Sequence, residues 1–294
     1  MKHIYIFLIL ILIGLSIPFI SGSETSQRKT VFYSSGTKKS EGDILNNKKN
    51  GHWTWWYENG DIKSEGEYRA GEKYGLWIER YKNNRIMSET EYLNGVINGS
   101  EKRWYPNGKL MSEVVCRGGM RQGLYRLYFQ NENIRAVINF KDGERDGSFI
   151  TFFINGGKEN EGNYEAGKKA GLWIKYHSSG NIDIKEIYKE DMRNGKWENW
   201  YPNCLKRQEG YYSDNQASGK WTKWYEEGGI ESEGEYKNGV RTGLWRIWYK
   251  NGKPEEESQW GDGKRDGVLK VWDRKGILIK NEIYLEGELI SKTK

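Results

Sequence analysis

One glycine recurs every 24 residues without a break: Gly51, Gly75, Gly99, Gly123, Gly147, Gly171, Gly195, Gly219, Gly243 and Gly267. A fixed period without insertions marks a repeat architecture, in which each unit is one supersecondary element and neighbours stack to bury a shared surface. The phase continues upstream in Phe32-Tyr33, Gly36 and Ser40-Glu41-Gly42, so a partial unit begins near residue 31. This divides the chain into an N-terminal segment with a partial repeat (24–50), ten tandem units (51–290) and a short tail (291–294).

With the glycine as unit position 1, position 3 is aromatic in eight units: Trp53, Trp77, Tyr125, Phe149, Trp173, Trp197, Trp221 and Trp245. Position 6 is aromatic in nine, position 7 is usually Tyr or Phe, and position 18 is nearly always aromatic. Positions 9 and 10 often read Asn-Gly, as in Asn59-Gly60 and Asn251-Gly252, and positions 20 and 21 give a second turn, as in Asn94-Gly95 and Asp262-Gly263. Such dipeptides between apolar-bearing runs signal hairpins, because type I′ turns need a positive φ at both central residues. Two turns per unit give two strands per unit. The expected fold is all-β, an elongated antiparallel meander of about 20 strands; at ~4.8 Å per strand it forms a rod of about 100 Å.

Composition agrees. Only 36% of the 294 residues are hydrophobic and 30% are charged, but there are 14 Trp, 20 Tyr, 8 Phe and 37 Gly against 4 Pro. A disordered chain lacks the aromatics, and a packed α/β enzyme carries more small aliphatic residues. Gly with Trp and Tyr fits short strands joined by tight turns. The net charge of +6 is interleaved rather than blocked, so no nucleic-acid tail is expected.

Two-residue turns fix the register by counting. Position 7 then faces 12, 3 faces 16 and 1 faces 18; across the second turn 18 faces 23, and 14 faces position 3 of the next unit. One side of the sheet carries Trp at 3, Tyr at 7, Ile or Leu at 12 and aromatics at 18. The other carries the position-6 aromatics and a column of acids at 15, including Glu65, Glu113, Glu161 and Glu233. Gly66, Gly162, Gly210 and Gly234 at position 16 lie opposite Trp53, Phe149, Trp197 and Trp221 of their own units, where a ring covers the bare backbone. Trp221 is expected between Gly234 and Gln208, with Trp224 on the opposite side.

The unit resembles the MORN repeat family in its bacterial variant form. The likeness rests on Gly-x-Trp-x-x-Trp/Tyr-Tyr-x-Asn-Gly followed by Ser-Glu-Gly-x-Tyr-x-x-Gly, seen from Gly219 to Gly239 with Glu227 in place of Asn. It implies an elongated β-hairpin array serving as a protein- or lipid-binding scaffold. It also loosely implies the antitoxin-like label that many bacterial members carry. The catalytic kinase or methyltransferase domains fused to some relatives have no room here.

The chemistry of a catalyst is sparse. His52 and His177 occupy different unit positions, five units apart, and read as surface strand residues; no metal site or triad converges on them. Cys116 and Cys204 are about seven strands apart, beyond the ~7 Å that a disulfide tolerates, and are expected as free thiols. Carboxylate pairs such as Glu65 with Glu67 recur with the repeat, as a solvated face does. The chain is therefore read as a non-enzyme with no cofactor and no metal.

Position 23 is basic in seven units: Lys73, Arg121, Arg145, Lys169, Arg193, Arg241 and Arg265. Opposite position 18 it pairs Tyr68 with Lys73, Tyr164 with Lys169 and Tyr236 with Arg241. The plain reading is cation–π support of the turn, ~0.5–1 kcal/mol each when exposed. The functional reading is a cation ladder along an aromatic groove. The candidate binding face comprises Trp53, Trp77, Trp173, Trp197, Trp221, Trp245, Tyr68, Tyr164, Tyr236, Lys73, Arg145, Lys169, Arg241 and Arg265. Its expected ligand is a protein partner, with glycan or anionic lipid as the alternative and no nucleic acid.

Residues 1–23 read as an export signal: Lys2 and His3, an apolar run from Ile4 to Ile20 broken by Pro18, and small residues at Ser21-Gly22-Ser23. Secretion or residence in the periplasm or cell envelope follows, an uncleaved membrane anchor being the alternative; no Cys follows the run to take a lipid.

Overall fold

The computed structural model describes residues 25–292. The expected leader lies outside them. Among the described residues there is no helix: 23 strands, from β1 (Gln27–Phe32) to β23 (Glu288–Lys292), form one open antiparallel sheet. Each strand pairs with its chain neighbours, as β1 does with β2 (Lys38–Leu45) and β22 with β23. The ten units supply the expected twenty strands; the partial repeat adds two and the segment after Glu286 adds one.

The two turns of a unit differ. At positions 20 and 21 both residues have positive φ in every unit, as in Ala70 (49°) and Gly71 (92°) or Asn238 (51°) and Gly239 (80°). These are the expected two-residue I′ turns. At positions 9 and 10 only the second residue is left-handed, as Gly60 (91°) is. There the Gly60 N–H donates to the Tyr57 carbonyl and the Tyr57 N–H to that of Asp61, at 3.0 and 2.8 Å. That is a three-residue loop ending in a left-handed bulge residue, not a I′ turn.

The difference corrects the register locally. Position 7 closes on 11 rather than 12, and position 6 faces 12, as Trp56 faces Ile62. One residue of slip moves position 12 to the acidic face. A bulge at position 13 then takes up the slip, so Trp53 faces Gly66 and Gly51 faces Tyr68 as expected between β3 (Lys48–Trp56) and β4 (Ile62–Arg69).

A second correction lies between units. Between β4 and β5 (Glu72–Arg80), Glu67 pairs with Tyr74 but Glu65 with Ile78, a shift of two residues centred on Gly75. Position 14 consequently faces position 5 of the next unit, as Ser64 faces Glu79, and not position 3. All ten repeat glycines have positive φ, from 64° at Gly243 to 134° at Gly99. Each is the kink that a side chain would strain, which accounts for the period itself. A shift of two keeps every side chain on its face, so the facing of positions 3, 16, 18 and 23 stands.

Candidate functional site

The aromatic face is built ring upon backbone. Position 16 lies between position 3 of its own unit and position 3 of the next, and the next unit's indole covers it. Trp53 lies on Gly42, Trp77 on Gly66, Trp173 on Gly162, Trp221 on Gly210 and Trp245 on Gly234; a Cβ at each glycine would come within 2.2–2.5 Å of the ring. The own-unit strand pairing holds, as Trp221 with Gly234, but the expected ring packing does not: the indole of Trp221 covers Gly210, and Gly234 lies under Trp245. The indole N–H groups of Trp53, Trp77, Trp173 and Trp245 donate to the carbonyls of Asp43, Glu67, Asn163 and Glu235, at 3.0–3.2 Å. That of Trp221 is buried without a partner.

Position-18 rings stand edge-on to these indoles: Tyr68 to Trp77, Tyr164 to Trp173 and Tyr236 to Trp245, with centroids 5.0–5.1 Å apart. Trp221 also stacks on Trp197 at 5.5 Å. The result is a one-sided core. Trp53, Trp77, Trp173, Trp221 and Trp245 are only 2–6% exposed, so they hold the sheet together rather than display themselves. Trp197, whose preceding position 16 is Glu186 and not glycine, is half-buried.

The cations form the outer layer. The backbone pairs are those expected, Tyr68 with Lys73 and Tyr236 with Arg241, but the charge leans onto the following unit. Lys73 Nζ lies 4.2 Å from the centroid of Trp77 and 4.7 Å from that of Tyr92; Lys169 lies 4.3 Å from Trp173 and 4.7 Å from Tyr188. Arg241 covers Trp245 and Trp260, and Arg265 covers Trp260 and Tyr284. Arg145 lies 5.2 Å from Tyr164 and donates to its hydroxyl at 3.1 Å. Sequence reading missed Lys49, the position-23 residue of the partial repeat, over Trp53, Trp55 and Tyr68 at 4.6–4.9 Å. Burial pushes the Lys49 and Lys73 ammonium groups below their ordinary range and the Tyr68 and Tyr92 phenols above theirs.

Position 7 also carries a role that the sequence did not reveal. Its side chain reaches along the edge to the position-6 carbonyl of the next unit. Tyr33, Tyr57, Tyr81, Tyr105, Tyr201, Tyr225 and Tyr249 all donate there at 2.7–2.9 Å. His177 takes the same place, its Nε2 3.1 Å from the Trp200 carbonyl, so it begins a turn as a clasp rather than lying on a strand. His52 is an exposed strand residue as expected. Cys116, buried, and Cys204, exposed, are both free.

The other face carries the acid column and the position-6 side chains, as expected. Arg80 donates to Glu65 at 3.0 Å, Tyr128 to Glu113 at 2.8 Å and Tyr176 to Glu161.

A family model described as MORN repeat variant matches residues 49–70, 97–115, 217–238 and 241–262. The chain carries MORN-variant repeats. The matched stretches of this MORN chain fall in phase with the glycine period, and the same hairpin geometry fills the units between them. None of the curated proteins matches it. Among solved structures, the crystal structure of TcdB2-TccC3 aligns with 87% of this chain and 15% of that one, at 8% identity and a TM-score of 0.20. The TcdB2-TccC3-Cdc42 structure aligns over the same shares at 9% identity and 0.20. The MORN chain thus spans about 15% of those chains' length, and a likeness this low carries no argument.

Proposed function

We propose that this MORN array is a non-catalytic, exported scaffold that binds a protein partner along its aromatic face. The observation that carries the reading is the cation layer. Lys49, Lys73, Arg121, Arg145, Lys169, Arg193, Arg241 and Arg265 each lie over the rings of one face. Units two strands apart repeat every ~10 Å. A positive ladder on a rigid sheet suits an acidic protein segment, whose charges it steers and registers. Because the indoles are covered, the partner meets cations and ring edges, not open indole faces. The export component rests on the Ile4–Ser23 pattern alone.

The test is capture with the chain from Glu24 onward, followed by titration of each purified captured protein. A variant with Lys73, Lys169, Arg241 and Arg265 all changed to Gln should lose binding, and wild-type binding should weaken with salt. A control with Lys196, Lys206 and Lys220 changed to Gln on the acidic face should bind normally. Equal binding by all three overturns the reading, and retention by anionic liposomes or glycan alone transfers it to the envelope alternative. For export, mass spectrometry of the exported protein should find an N-terminus near Ser23 or Glu24; intact Met1 on a membrane-bound chain refutes cleavage.

A further inference from the structure

The hollows of the aromatic face lie toward the first turns, where positions 5, 7, 13 and 14 line them. In two units an ion pair joins positions 5 and 13: Lys175 with Asp183 at 3.1 Å and Lys223 with Glu231 at 2.6 Å. The unit that begins at Gly123 puts Leu127 and Arg135 in those places, so the base has lost its acid. The next unit's Phe149 stands where a covering indole stands elsewhere, and it pairs across the strands with Ile138, which replaces the roofed glycine. Position 14 is Ala136, and the position-7 rings Phe129 and Phe153 lack the hydroxyl that clasps in other units.

These exchanges leave a hollow of about 490 Å³ walled by Leu127, Phe129, Ala136, Ile138, Phe149 and Phe153. Ile154 carries the apolar wall out to the rim, 62% exposed, at a position that is polar or proline in every other unit. Arg135 and Arg145 also line the hollow, both exposed, and among the described residues neither forms an ion pair. Arg135 lies only loosely over Phe129, 5.9 Å from its centroid. Arg145 gives one N–H to the Tyr164 hydroxyl at 3.1 Å, which leaves most of its donors for an acceptor from outside. The one acid in the lining, Glu159, accepts from the Thr151 hydroxyl at 3.2 Å. The hollow is thus apolar within and positively charged at its rim.

We infer that the hollow between Phe129 and Phe149 anchors one apolar side chain of an acidic protein segment, whose neighbouring carboxylates meet Arg135 and Arg145. The inference rests on the reading of this face as a protein-binding surface and adds to it a fixed point. A uniform ladder of cations attracts acid without setting where along the array it stops, whereas an apolar side chain seated in one hollow sets the register. The forked guanidinium groups suit carboxylates, and the apolar walls reward removal of a hydrocarbon side chain from water. A small organic acid fits less well, because such ligands are held where most of their surface is enclosed. This hollow opens along Ile154 and two exposed arginines.

The experiment is an NMR titration of the Ile138 and Ile154 methyl groups with three capped peptides: acetyl-Glu-Glu-Leu-Glu-Glu amide, the same peptide with central Ala, and the Leu peptide with Gln in place of every Glu. The acidic Leu peptide should saturate both shifts and bind about tenfold tighter than the Ala peptide, and the Gln peptide should not saturate them. Ala136→Leu, which fills the hollow, should remove the advantage of Leu over Ala and leave the Ala peptide's affinity unchanged. Arg135→Gln with Arg145→Gln should weaken both acidic peptides. The comparison of peptides on the wild-type chain stands even where a variant fails to fold. Equal binding of the Leu and Ala peptides overturns the anchor and leaves the cation ladder standing. Tighter binding of Leu without a shift at Ile138 overturns it too, as does no saturation by the acidic Leu peptide below about 10 mM. If octanoate saturates the shifts and no peptide does, the hollow takes a small acid and the anchor is wrong.

Discussion

The indole of Trp245 lies flat on the backbone of Gly234, eleven residues earlier and in the preceding unit, so close that a Cβ on the glycine would meet ring carbon Cδ2 at 2.2 Å. Gly234 also pairs across the strands with Trp221 of its own unit, but that ring covers Gly210. Each unit is thus roofed by its successor, and the hydrophobic coupling runs one way along the chain.

Gly234→Ala should therefore destabilise the array by about 1–3 kcal/mol, since the overpacked ring must lift, and Trp245→Ala by about 3 kcal/mol through loss of a buried ring. The two losses should not add, because the new methyl fits once the indole is gone. Trp221→Ala, by contrast, should not relieve Gly234→Ala. Denaturant unfolding of the five single and double variants checks this, and rescue by Trp221→Ala would put the own-unit ring, not that of Trp245, over Gly234.

The repeat, the second turn and the facing of positions 1, 3, 16 and 18 were legible because they follow from period and turn chemistry. The first turn was not, since Asn-Gly suits both a I′ turn and a three-residue loop. The signal was present in Ser179, Glu227 and Lys275 at position 9, residues that a positive φ would strain. The roofing was also readable. All five position-16 glycines are followed eleven residues later by Trp, whereas the own-unit partners of Gly42 and Gly162 are Lys29 and Phe149. The burial of the candidate face was hidden, because an unkinked lone sheet leaves its rings open, and only the left-handed kink at position 1 brings each indole down onto its neighbour. Nothing in a tyrosine at position 7 announces a hydroxyl that reaches 23 residues ahead.

The clasp ladder has a gap that can be filled. Phe129 and Phe153 occupy position 7 without a hydroxyl. Phe129→Tyr and Phe153→Tyr should each add a bond to the position-6 carbonyl of the next unit and stabilise the array by about 1 kcal/mol. Tyr225→Phe, which removes a 2.7 Å bond to the Trp248 carbonyl, should cost a similar amount. Hydrogen exchange of the adjoining strands should slow for the first pair and quicken for the last.

The two thiols should differ in rate but not in number. Cys204 is exposed at a turn, while Cys116 is buried, and burial together with the Glu101 carboxylate pushes its thiol up. Since the thiolate is the reactive form, a thiol reagent should titrate Cys204 quickly and Cys116 slowly in the folded chain. Both should react at once after unfolding without reductant, and a pair that resists would reveal a disulfide.

Two tyrosines should make the array sensitive to alkali. Burial first, then hydrogen bonds to Glu161 and Glu186, push the phenols of Tyr176 and Tyr188 up to about 12. In the unfolded chain a phenol ionises near ~10. Between those values the unfolded state sheds protons that the folded state keeps, so the stabilisation is whole below pH ~10 and is lost as pH rises to ~12. Phenolate absorbance should show late-ionising groups in the folded chain, one of the latest removed by Tyr176→Phe and another by Tyr188→Phe. Glu161→Gln should bring the Tyr176 ionisation only part of the way down, because the larger cause, burial, remains. If Glu161→Gln returned it fully to the ordinary range, the carboxylate and not the packing of this face would govern the phenol.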